Sequence, residues 1–244
     1  MTYRLDRYEF KFLISTAQRD AIIGEFPGHI VPDGNSGEDG GYRIYSLYFD
    51  TPQRDCYWEK LRGLRSRRKL RVRLYESTLA TATGACFVEI KHKHEGRGVK
   101  RRLRVPLDAA MRITSGEEPG VELDTGEERI LNEVRHLVGE KDLKPVCCLR
   151  YDRRAYMDIA EDSDLRITFD ENICYRMDDL PSLHEGAFDQ QLLEEDEHIM
   201  EVKVTGAVPV WLTGILYAHK CTPGSRSKYC DAIAAGIAVR SKAA

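Results

Sequence analysis

The sequence predicts an α+β protein, an antiparallel β-barrel tunnel with flanking helices. Three observations carry that expectation. Strand-like runs recur along the 244 residues without the regular strand–helix alternation of a parallel α/β fold. On many of these runs Lys, Arg and Glu take every second position, with apolar residues between. Successive strand side chains point to opposite faces, so each such strand has a charged side and an apolar side. Helices can cover only the apolar sides, which turns the charged sides toward a common interior.

The clearest run is GLRSRRKLRVRLY, residues 63 to 75. Arg67, Lys69, Arg71 and Arg73 alternate with Leu70, Val72 and Leu74. Like charges stacked on one strand face repel, so stability alone does not select this pattern. An anion lying along the face would explain it. Between Arg62 and Arg104 there are 14 Lys and Arg against three Glu, a local +11 in a chain of net charge -3. A basic centre in an otherwise acidic chain suits an internal anion site better than a broad nucleic-acid surface.

In order, Arg4 to Phe12 alternates Arg7, Glu9 and Lys11 with Tyr8, Phe10 and Phe12, which predicts a strand. Ser15 with Gln18 is a capping box for a helix running to about Phe26. Residues 28 to 41 are rich in Gly, Asp and Asn and predict a loop. Tyr42 to Asp50 predicts a strand, and Thr51-Pro52 the start of a short helix with Thr51 as its N-cap. A polar break at 77 to 84 precedes the strand Cys86 to Lys93. Gly96 to Gly98 then turns the chain into Lys100 to Val105, completing a hairpin. Leu107 to Thr114 and Glu127 to Val138 predict helices. Further strands are expected at Val146 to Met157, Leu165 to Asp170 and Ile199 to Val204, with 181 to 197 an acidic loop. Helices from Val208 to His219 and from near Ser227 close a chain expected to form one domain, residues 1 to 244. Tyr45, Tyr48, Phe49 and Trp58 are read as core.

Other classes are disfavoured. No apolar run approaches the roughly 18 to 20 residues that span a bilayer, and the charged N-terminus does not resemble a signal peptide. Seven cysteines without CxxC pairs read as reduced, packed thiols, which implies a cytoplasmic protein. Six of the histidines (His92, His94, His136, His184, His198 and His219) show no ligand spacing. Aromatic residues do not interleave with the basic strands as base-stacking platforms would, so no nucleic-acid partner is expected.

The candidate inward residues are Lys11, Arg71, Arg73, Lys91, Lys100, Arg153, Arg166, Lys203 and Lys228, with Glu9, Glu89, Asp170 and Glu201 among them. Burying that many cations requires an anionic ligand and interspersed carboxylates. Arg forks suit phosphate oxygens, and Lys adds point charges. Carboxylates in a phosphate site imply a divalent cation, and Glu201 is the candidate to hold Mg2+ or Mn2+. Ser227-Lys228, opening a helix, would add backbone donors.

Eight short motifs, RYEFKF (7–12), YSLYFDTP (45–52), KLRVRLY (69–75), FVEIKHK (87–93), YDRRAY (151–156), LRITFD (165–170), IMEVKV (199–204) and SRSKY (225–229), occur in an order that resembles the VTC domain. This is the polyphosphate polymerase branch of the triphosphate tunnel metalloenzyme, or CYTH-like, superfamily. The resemblance implies the triphosphate tunnel fold and transfer of the γ-phosphate of ATP to growing inorganic polyphosphate, with Mn2+ or Mg2+. By motif it implies phosphate-binding cations at Lys11, Arg71, Arg73, Lys91, Arg153 and Arg166. Tyr151, Ser227 and Lys228 would add phosphate contacts, and Glu201 the metal ligand. Lys100 and Lys203 fit less securely, because Lys100-Arg101-Arg102 lets the register slip by one. In the eukaryotic version an SPX domain and membrane helices accompany this domain. Neither is read in these residues, so a membrane-protein partner would be a separate chain. Two rival readings are a triphosphatase or polyphosphatase with water as nucleophile, and a non-catalytic polyphosphate-binding module.

Overall fold

The computed structural model describes residues 7–34, 40–75, 84–95, 97–160, 163–178, 180, 188 and 190–243. Expectations for residues 4–6, 35–39, 77–83, 96, 181–187 and 189 lie outside the described residues. The strands are β1 (Arg7–Ser15), β2 (Ile30–Pro32), β3 (Gly41–Asp50), β4 (Ser66–Tyr75), β5 (Ala85–His94), β6 (Arg97–Pro106), β7 (Lys144–Asp158), β8 (Arg166–Arg176), β9 (Gln190–Gln191) and β10 (Glu197–Thr205). The helices are α1 (Thr16–Gly24), α2 (Asp55–Leu61), α3 (Leu107–Thr114), α4 (Thr125–Lys141), α5 (Val210–Ala218) and α6 (Lys228–Ala243).

The chain separates into two compact units. Unit 1 is Met1–Arg43, Tyr151–Cys174 and Gln191–Ser227; unit 2 is Ile44–Arg150, Tyr175–Gln190 and Lys228–Ala244. Within unit 1 the strand order is β1-β10-β8-β7, with β2 on β7 and β9 on β8; within unit 2 it is β7-β3-β4-β5-β6. The pairs β1–β10, β10–β8, β2–β7, β3–β4, β4–β5 and β5–β6 are all antiparallel. The α+β class and the antiparallel sheet stand. Among the described residues, however, the hydrogen-bonded order does not return on itself and β6 pairs with β5 alone. Lys100, Arg102 and Arg104 on β6, with Pro106 at its end, are the charged and donor-poor residues that suit an open edge.

Each unit buries the apolar sides of its alternating strands. In unit 1, Phe12 and Ile14 of β1, Ile167 and Phe169 of β8, and Met200 and Val202 of β10 pack with Ile22 of α1 and Leu212 and Ile215 of α5. In unit 2, Leu70, Val72, Leu74, Val88, Ile90, Leu103 and Val105 are buried, as are Ile113 of α3 and Ile130, Leu131, Val134 and Leu137 of α4. Burial of each such side chain contributes about 1.5–3 kcal/mol. These faces hold the sheets together and leave the opposite faces to the charges.

Local signals explain most element ends. The expected Ser15/Gln18 capping box opens α1, and Asp124 with Glu127 forms another at α4. Four details differ from expectation. First, α2 starts at Asp55 after Arg54 in the left-handed region (φ 63), so Thr51 is not its N-cap. Second, the first-turn donors are shared: the Thr51 hydroxyl accepts from the backbone N–H of Asp55 at 3.0 Å, and Asp50 accepts from Thr51 at 2.7 Å, Cys56 at 2.8 Å and Tyr57 at 3.2 Å. Third, Trp58 is 43% exposed, not core. Fourth, the Gly-rich loop contains β2, whose Val31 pairs with Met157. Among the described residues no helix is long and apolar enough to cross a membrane.

Candidate phosphate-binding site

In unit 2 the antiparallel register places four ranks of cations on one face. Arg67 lies opposite Lys93, and Lys69 opposite Lys91, which in turn faces Lys100. Arg71 lies opposite Glu89, which faces Arg102; Arg73 lies opposite Phe87, which faces Arg104. Directly opposed residues share a face, so β4 to β6 present nine Lys and Arg there and one described carboxylate, Glu89. The other face is apolar, apart from the end near Arg68 and His92 and from Arg101, which is ion-paired to Glu133 of α4 at 2.5 Å. This register resolves the slip at residues 100 to 102: Lys100 and Arg102 belong to the charged face, Arg101 to the helix-covered one.

Glu89 organises that face. It is fully buried, and Arg71 donates to its Oε2 from Nε at 2.8 Å and Nη2 at 2.6 Å. Lys100 Nζ is 3.3 Å from Oε1. Burial alone would raise the Glu89 pKa, but Arg71, Arg73 and Lys100 hold the carboxyl well below its ordinary range. Arg71 Nη1 also donates to the Tyr48 hydroxyl at 2.9 Å, and Arg73 Nε to Ser46 Oγ at 3.3 Å. Burial pulls the Lys100 ammonium down to a pKa of about 8, with Glu89 opposing and Arg71 and Arg73 adding to the fall. Lys91 is exposed, whereas Lys228, the first residue of α6, is buried.

Unit 1 builds a different, charge-balanced face. Lys11 pairs in register with Glu201, and Glu9 with Lys203. Lys11 Nζ lies 3.0 Å from Glu201 and 3.3 Å from Glu9, and Lys203 Nζ lies 2.7 Å from Glu201. Arg153 forks onto Asp170, with bonds of 2.6 and 2.7 Å, both side chains buried. It stands over the Tyr151 ring at 5.4 Å and is 3.9 Å from Glu201. Arg166 donates to Asp33 at 2.7 Å and to the Tyr42 hydroxyl at 2.9 Å. Burial opposes the charge on Lys11, but Glu201 and Glu9 outweigh it and raise its pKa above the ordinary lysine value. Lys203, depressed first by burial and with Arg153 repelling it, falls to about 8. Ser227 is half-buried immediately before α6.

The structure therefore groups the expected residues by unit. Lys11, Tyr151, Arg153, Glu201 and Lys203 cluster in unit 1, with Arg166 in register beside Lys203. Arg71, Arg73, Lys91 and Lys100 share the unit 2 face. Sequence reasoning missed Arg102, Arg104, Tyr48, Asp33 and Tyr42. For the two arginines the signal was present: Lys100, Arg102 and Arg104 alternate with Leu103 and Val105. Tyr48 is buried, as expected of a core residue, but its hydroxyl also accepts from Arg71, a contact that only the β3–β4 pairing reveals. Asp33 lies outside any periodic run, in the 28–41 stretch.

The unit 1 donors were tested for a divalent cation. Among the described residues no three of His, Cys, Asp and Glu converge, so an all-protein cage is not formed. Glu9 and Glu201 do share a face, and two carboxylates with phosphate oxygens completing the shell are a usual arrangement for Mg2+. Lys11 and Lys203 pair with these carboxylates, so a divalent cation here would need phosphate oxygens to complete its shell.

The family model described as VTC domain matches residues 6–237. No curated protein matches the chain. A structure from Bacillus halodurans, provisionally named an adenylate cyclase, is similar at 15% identity with a TM-score of 0.53, over 93% of this chain and 96% of that one. A second, from Vibrio parahaemolyticus and named in the same provisional way, gives 11% identity and a TM-score of 0.46, over 91% and 95%. The first shows a shared fold.

Proposed function

The chain belongs to the VTC domain family, and on that premise we propose that it is a metal-dependent polyphosphate polymerase. In this reading it transfers the γ-phosphoryl group of ATP to the end of an inorganic polyphosphate chain. The observation that carries the reading is the unit 2 face, where nine Lys and Arg surround one carboxylate. Anions occupying such a face relieve its repulsion. Linear phosphate, with charge on every unit, matches ranks of cations repeated every second residue along strands.

Phosphoryl transfer asks a protein for positioning and charge neutralisation more than for covalent work. Arg71 and Arg73 would bind phosphate oxygens, with Arg71 held in place by Glu89 on one side and Tyr48 on the other. Lys91, Lys100 and Lys228 would add ammonium charges. Glu201, with Glu9 beside it, would hold Mg2+ or Mn2+, which when bound supplies neutralising charge on phosphate oxygens. Lys11, Lys203 and Arg153 lie against those carboxylates and balance their charge. The terminal phosphate of the acceptor is already ionised near neutral pH, so no strong general base is required. Tyr151 and Asp170 orient Arg153.

The test is incubation of the protein with ATP and Mn2+ followed by separation of products by size. Long chains with ADP are expected, and Glu201→Gln should remove turnover while leaving polyphosphate binding intact. Release of only ADP and free phosphate would replace the polymerase with a hydrolase. Binding without turnover in the wild type would leave a polyphosphate-binding module.

A further inference from the structure

Beneath the cationic face of unit 2, a second ring backs Tyr48. Tyr229, the second residue of α6, is 2% exposed, and its hydroxyl donates to Oδ2 of the buried Asp50. The same carboxylate holds the start of α2, as described. The Tyr229 ring stacks on Tyr48, with centroids 5.1 Å apart and planes at 30°. On it also rests Lys69, its Nζ 4.6 Å from the ring centre and 3.1 Å from Sγ of Cys230. Tyr48 in turn accepts from Arg71 at 2.9 Å. A chain of contacts thus runs from the helix start at Asp50, through two stacked rings, to two cations of adjacent ranks.

We propose that Tyr229 is a positioning residue of the phosphate-binding face. Its hydroxyl, fixed by Asp50, sets the ring against which Lys69 and Tyr48 are placed, and Tyr48 aims the Arg71 guanidinium. Tyr229 is also joined directly to Lys228, so the same anchor fixes where that ammonium emerges. A flexible Lys or Arg loses rotamer freedom when it binds a phosphate, and prior placement removes much of that loss. The stack is suited to this role because an aromatic ring offers a flat face to a cation and few ways to move. This inference rests on the reading of the face as a phosphate site.

The alternative is that the Asp50–Tyr229 bond only ties α6 to α2, which would affect stability and nothing else. Calorimetric titration of the full chain with inorganic tripolyphosphate, well below the melting temperature, separates the two. Tyr229→Phe keeps the ring and removes the anchor; it should weaken binding about tenfold. Tyr48→Phe should weaken binding comparably. The double variant should bind no more than about threefold weaker than the weaker single variant, since both act along one chain of contacts. A folded Tyr229→Phe protein with wild-type affinity overturns the inference, whatever its melting temperature, as do fully additive losses. Should Tyr229→Phe fail to fold, Tyr48→Phe carries the test: reduced affinity supports the placement of Arg71, and unchanged affinity overturns it. A wild type that does not bind tripolyphosphate overturns the phosphate-site reading as well. Weakened binding in a protein that never extends polyphosphate sustains this inference and removes only the polymerase.

Discussion

Arg71 and Glu89 lie directly opposite each other on β4 and β5 and share two hydrogen bonds, of 2.8 and 2.6 Å, to one carboxylate oxygen. Glu89 is thus the negative centre of a face that otherwise carries Lys and Arg. Replacing it by Gln leaves neighbouring cations without their counter-charge, at a cost of about 3 kcal/mol. Glu89→Gln is expected to lower the thermal midpoint, and added tripolyphosphate should recover more of the loss than it adds to the wild type. Equal shifts in both proteins would contradict this.

The same carboxyl gives an acid dependence with a definite sign. Its folded pKa is held below the ordinary value by Arg71, Arg73 and Lys100, against the opposing effect of burial. Its contribution to stability is therefore complete above the ordinary carboxylate range and declines as pH falls below it. Denaturant titrations from pH 6 downward should show a shallower loss of stability in Glu89→Gln than in the wild type.

Adjacent residues on β6 should behave differently. Arg102 belongs to the charged face, and Arg101 pairs with Glu133 on the other. Arg102→Ala should weaken tripolyphosphate binding about tenfold, the scale of one lost charged hydrogen bond. Arg101→Ala should leave affinity within about twofold and instead reduce stability. Measured dissociation constants of the two variants check the assignment, and the reverse order would mean the strand register is wrong.

Lys100 supplies a pH test of binding. Its pKa of about 8 means that it is charged at pH 7 and mostly neutral at pH 9. Affinity for tripolyphosphate should fall across that window, and Lys100→Met should flatten part of the fall. An identical pH profile in the variant would show that Lys100 does not face the ligand.

Much of this was legible from the chain because a strand has a period of two. The alternation Lys69, Arg71, Arg73 against Leu70, Val72, Leu74 needs no tertiary information, and its two faces are the ones observed. Glu89, Lys91, Glu201 and Lys203 followed by the same rule. The Lys100-Arg101-Arg102 run defeated it, since three consecutive cations carry no phase; the partner strand supplies one through Glu89. Tyr48 is buried as expected, but its second role was hidden: an aromatic residue reads only as core until a guanidinium is found on its hydroxyl. Thr51 does accept from the first N–H of α2, but the sequence does not show that Arg54 takes the N-cap position or that the Asp50 carboxylate reaches the N–H groups of Cys56 and Tyr57. The antiparallel sheet with flanking helices was legible from charge on many strands, but that the described sheet does not close was not, because pairing at an edge is set by backbone groups that side-chain patterns do not reveal.

Calorimetric titration with linear tripolyphosphate at a series of salt concentrations tests the central claim most directly. Saturable binding is predicted in the wild type, weakening steeply as salt rises, and reduced at least about tenfold in Arg71→Ala and in Arg73→Ala. No binding at low salt, or equal affinity in the wild type and both variants, would mean that the cationic face of β4 to β6 is not a phosphate site.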